Sequence, residues 1–85
     1  MPQLPTIPRP ADVVFIAWQR NPLQPRSPLT IVQFSVVGSS SPCGNLLGIG
    51  RRAIPAVRCL LRNGFSIACN RRTTSVSGFV VLVRQ

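Results

Sequence analysis

The chain has 85 residues, enough for one small domain, and an apolar fraction of 45%, which is ordinary for a globular protein and argues against disorder throughout. All ten basic residues are arginine and the only acid is Asp12, so the net charge is +9. Lysine, glutamate, histidine and tyrosine are absent, which removes most groups used in general acid–base catalysis and the lysine of phosphate-binding loops; no enzyme and no cofactor site are expected.

Residues 1–10, MPQLPTIPRP, carry proline about every third position. Proline fixes φ and favours polyproline II, so a stiff, poorly ordered arm is expected over 1–11. Arg9 and Arg26 directly follow prolines and miss the offset that polyproline-reading domains require, so the arm reads as a spacer. DVVFIAW (12–18) is β-branched and aromatic and predicts a strand. Both of its faces are apolar, so both should be covered. The run 19–28 reads as a proline-rich linker or long loop. LTIVQFSVV (29–37) predicts a second strand, with Val32, Phe34 and Val36 on one face and Ile31, Gln33, Ser35 and Val37 on the other. GSSSPCGN (38–45) has loop composition.

The stretch GNLLGIGRRAIPAVRCLLRNG (44–64) predicts a helix over about 54–63. Pro55 suits a first helical turn, and Gly64 suits the left-handed stop. A helical wheel groups Ala53, Ile54, Val57, Leu60 and Leu61, with Leu60 and Leu61 expected inside and Arg58 and Arg62 outside. FSIA (65–68) then predicts a short strand, NRRTTS a polar turn, and SVSGFVVLVRQ (75–85) a strand centred on 79–83. The sum is an α+β chain: three to four short strands and one amphipathic helix in a domain over 12–85.

The Gly48-Ile49-Gly50 turn resembles the hairpin of helix-hairpin-helix DNA-binding motifs, in which backbone amides hold a phosphate. Ile54 stands where that family has a small residue, Pro55 follows it, and no first helix precedes Leu46, so the family's function is not carried over. LLRNGF, with its basic turn and following apolar strand, is similar to the helix–Gly–strand passages of some small ribosomal proteins.

Cys43, Cys59 and Cys69 form no CxxC pair, and no histidine completes a zinc site, so no metal is expected. Their odd number reads as free thiols in a reducing, intracellular compartment, cytoplasmic or organellar. No apolar run reaches the eighteen or so residues of a membrane span, and Val13–Trp18 is too short for a secretory core.

With one acid for ten arginines, most guanidinium groups must face water or an external anion. The expected partner is RNA or another polyanion, in a ribonucleoprotein of ribosomal type. Arg51, Arg52, Arg58, Arg62, Arg71 and Arg72 form the expected contact set, because arginine forks onto phosphate oxygens. Two rivals stand beside this. One is a peripheral membrane or organellar accessory protein that lays the 53–63 helix on anionic lipid. The other is an unselected small open-reading-frame product without defined activity, suggested by the joint loss of residues whose codons carry adenine in second position.

Overall fold

The computed structural model describes residues 11–24 and 26–85. Over these the chain forms four strands, β1 (Asp12–Gln19), β2 (Thr30–Val37), β3 (Ser66–Thr74) and β4 (Ser77–Arg84), and one helix, α1 (Ala53–Arg62). The strands make a single antiparallel sheet in the order β2-β1-β4-β3. This is the α+β class that the sequence predicts. The proline-rich arm falls, through residue 10, outside the described residues. The two most apolar strands are central: β1 and β4 pair without interruption from Asp12 opposite Arg84 to Gln19 opposite Ser77.

Alternation along the strands gives the sheet two unlike faces. Val14, Ile16 and Trp18 of β1 and Val80 and Leu82 of β4 point to the α1 side, where they pack with Ala53, Ala56 and Leu60 of the helix. Ile31, Cys43, Leu47 and Phe65 complete this core. The other face carries Val13, Phe15, Ala17, Phe79, Val81 and Val83, all half-buried, with no second layer over them among the described residues. Coverage of β1 on both sides, expected from its apolar run, is not seen among the described residues. One helix covers one face.

A β-bulge corrects the expected facing of β2. The β1–β2 register shifts between Ala17 and Trp18, so Ile31 pairs with Trp18 while Gln33 pairs with Ala17. The extra residue is Val32, left 42% exposed, and Ile31 joins Phe34 and Val36 on the α1 side. The chain before α1 then runs along this part of β2. Ile31 N–H donates to the Arg51 carbonyl, Gly50 N–H to that of Ile31, and Ala53 N–H to that of Leu29.

The helix is rotated from its wheel. Its buried residues are Ala53, Ala56 and Leu60, whereas Leu61 and Ile54 are 42% and 44% exposed. At 100° per residue the buried side lies about 60° from the centre of the apolar group, toward Ala56 and Cys59. The reason is a covalent tie: Cys59 is disulfide-bonded to the fully buried Cys43. The expectation of three free thiols is thus wrong. An odd count leaves one thiol over, here Cys69, and does not forbid a pair. Gly64 takes the expected left-handed φ of +93° at the helix stop. The polar run after β3's start is strand, not turn: β3 extends to Thr74, and only Ser75 and Val76 turn the chain into β4. Hydroxyls of Thr73 and Thr74 on Ser77 brace that turn.

Two measurements test this arrangement. Leu60→Ala removes a fully buried side chain and should cost about 2–5 kcal/mol in denaturant unfolding, while Leu61→Ala should cost less than about 1 kcal/mol. Without reductant, denatured protein should show one reactive thiol, and three after reduction. Reduction should lower stability by about 3 kcal/mol, given the 16-residue separation of the bonded cysteines.

Candidate functional site

The one acidic side chain of the sequence is committed inside the fold. Arg84 Nε donates to Asp12 Oδ2 at 3.0 Å, with both side chains largely buried. The same guanidinium donates to the carbonyls of Ser41 (3.0 Å), Asn63 (3.2 Å) and Ser39 (3.3 Å), and stacks over Phe65 at 4.4 Å. Asp12 Oδ1 also accepts the Ser39 N–H at 2.9 Å. Gly38, at φ +82°, precedes that amide, and a Cβ there would strike the Asp12 carboxylate.

Every arginine of the expected contact set is exposed: Arg51, Arg52, Arg58, Arg62, Arg71 and Arg72. The fold does not bring all six to one surface. Arg51 lies just before α1 and Arg52 occupies its N-cap position. They border a shallow depression of about 330 Å³ with Leu46, Gly50 and Pro55. Arg58 and Arg62 lie on the outer side of α1 itself, and Arg62 is in its last turn, where the helix dipole favours a cation. Arg51 and Arg52 have no such benefit. They sit at the positive end of the helix, whose first turn holds no acid and whose cap makes no side-chain hydrogen bond.

Arg71 and Arg72 are adjacent on β3 and so point to opposite faces. Arg72 pairs with Gly78 and lies on the α1 side, whereas Arg71 pairs with Phe79 on the uncovered side. A turn over this run, which its composition predicts, would not separate them.

Arg72 borders a cleft of about 390 Å³ between α1 and β3. Its walls are mainly apolar, with Trp18, Ile54, Val57 and Ile67 prominent, and Asn70 joins Arg72 as the polar lining. The helical wheel gives no sign of this cleft, because it places Ile54 and Val57 on a core-facing stripe. Gly78 packs against Trp18, one of its lining residues: a Cβ would lie 2.5 Å from both Trp18 Cζ2 and the Arg71 carbonyl oxygen. Arg20 is a further cation outside the expected set. It is half-buried at the end of β1, and its Nε has no hydrogen-bond partner among the described residues. Its proximity to Thr30 depends on the β1–β2 pairing, which composition alone does not reveal.

Substitution separates the structural arginine from the exposed ones. Arg84→Gln removes the guanidinium that pairs with Asp12 and should destabilise the fold by on the order of 3 kcal/mol, whereas Arg58→Gln should change unfolding free energy by less than about 0.5 kcal/mol. Gly78→Ala should lower the unfolding midpoint by forcing Trp18 and β3 apart, with a shift in tryptophan emission that reports the displaced ring.

Comparison with known protein families, curated proteins and solved structures found no match.

Proposed function

We propose that this chain is a non-catalytic polyanion-binding protein and that its polyanion is RNA, held through phosphates in a ribonucleoprotein. The observation that carries the reading is the commitment of Asp12 to Arg84. With the only acidic side chain so engaged, the exposed arginines have no other acidic side chain of their own chain to pair with. Phosphate oxygens supply the missing charge and accept the forked guanidinium hydrogen bonds.

Arg51, Arg52, Arg58, Arg62 and Arg72 belong to the α1 side of the molecule, and the first two flank a helix N-terminus, which itself favours anions. Backbone contacts of this kind position a nucleic acid without reading its sequence. The membrane alternative needs the apolar side of α1 against lipid. Ala53, Ala56 and Leu60 are instead packed in the core, so only Ile54 and Leu61 of the wheel's apolar group stay exposed, a small area for lipid, which favours RNA over a bilayer.

Binding should weaken steeply with salt, because each neutralised phosphate releases counterions. Four arginine contacts to single-stranded RNA give an expected slope of log K against log salt near −3, from about −0.7 per contact. Replacing Arg58 and Arg62 together by Gln should flatten the slope by up to about 1.4 without changing preference between two unrelated RNAs. Arg71→Gln, on the other side of the sheet, should leave it unchanged. A salt titration of the three proteins reads all of this. Absence of RNA binding at low salt, with retained binding to anionic vesicles, would overturn the assignment.

A further inference from the structure

The face of the sheet turned away from α1 has the composition of a protein interface. Its centre is Val13, Phe15 and Ala17 of β1 with Phe79, Val81 and Val83 of β4, and the Phe15 and Phe79 rings meet at 5.6 Å. Around this apolar centre stand Gln19, Gln33, Ser35, Ser66 and Ser77, a polar rim. Among the strand residues of this face the only charge is Arg71, on the edge strand β3.

We propose that two copies of this chain pack these faces together, as a two-fold dimer with the α1 layers outside. Charge decides the occupant. RNA or an anionic bilayer is drawn to the arginines of the α1 side and finds one strand cation here. An uncharged apolar sheet fits, and every copy of the chain presents one, as an isologous interface requires. Size permits it: four strands of about eight residues, at about 3.3 Å per residue and 4.8 Å between strands, span on the order of 500 Å² per copy, or about 1,000 Å² in total, the lower bound for a specific interface and the size of a weak, reversible one. Repulsion between the arginines of the two α1 sides is screened, and Arg71, exposed on an edge strand, stays at the solvated rim. Packed sheets lie about 10 Å apart and the helices farther still, beyond the Debye length of about 8 Å at physiological salt. The dimer also accounts for β1, whose apolar residues alternate onto both faces while α1 covers one.

Sedimentation equilibrium of the full chain, without RNA, tests this. The unmodified protein should be dimeric at micromolar concentration. Phe15→Asp and Val81→Asp should each raise the dissociation constant about thirtyfold or more, the effect of losing a central buried anchor. Ile49→Asp, at a residue 75% exposed in the loop before α1, should leave the dimer intact. If the first two variants do not fold, the unmodified protein still decides: Cys69, on the same face opposite Val81, should be alkylated more slowly at high protein concentration than at low. A chain that is monomeric throughout, with a concentration-independent Cys69 rate, overturns the proposal. So does a monomer that binds uncharged phosphatidylcholine vesicles through Phe15, since lipid is then the occupant. Either failure leaves the RNA reading standing, because the salt titration addresses the opposite face.

Discussion

The contact between Asp12 and Arg84 organises this molecule. It joins the first residue of β1 to the last of β4, the central pair of the sheet. Through the other guanidinium hydrogens it also fastens the loop after β2 and the residue that ends α1. A guanidinium so enclosed needs all of its donors satisfied, and here a carboxylate, three carbonyls and an aromatic ring share the task. The chain closes on itself at this point, since 72 residues separate the two partners. The same contact settles the electrostatics of the surface. Once the lone acidic side chain is internal, no arrangement of the remaining side chains can neutralise the exterior.

The result is a segregated molecule. Arg51, Arg52, Arg58, Arg62 and Arg72 lie on the α1 side, and on the far side of the sheet Arg71 is the one strand cation among uncharged, mainly apolar side chains. Segregation follows from the two-layer architecture. A single short helix can cover the α1 side of β1 and β4 but has no counterpart opposite among the described residues. In a chain this small the hydrophobic residues exceed what one helix can bury, so some lie half-buried on the bare face and others, Phe34, Ile54, Leu61 and Ile67, stay partly exposed around α1.

Much of the fold is legible in the sequence. Runs of Val, Ile and Phe mark three strands, and the signals at Pro55 and Gly64 place the helix at about 54–63, within a residue of each observed end. What composition does not reveal depends on long-range pairing. The rotation of α1 is set by a bond from Cys59 to a cysteine 16 residues earlier, which no wheel contains. The extension of β3 through Arg71 and Arg72 is set by its partner β4, since in NRRTTS only Thr73 and Thr74 favour a strand. That extension in turn divides the two arginines between faces, so the six arginines of the expected set are all exposed but do not share one surface. The α1–β3 cleft is hidden for the same reason: it exists only where a rotated helix meets an edge strand.

The bulge in β2 has a consequence for how the chain tolerates insertion and deletion. Val32 separates two stretches that obey different neighbours. Residues 33–37 keep step with β1, while 29–31 are stitched to the segment entering α1. Removing that single residue would convert the bulge to regular pairing, with Gln33 still opposite Ala17 and Ile31 still opposite Trp18 on the α1 side. Ile31 would stay in the core, and its backbone bonds with Gly50 and Arg51 would keep their partners. The bulge is thus one residue of slack in β2, and a single deletion there leaves the helix entrance in register.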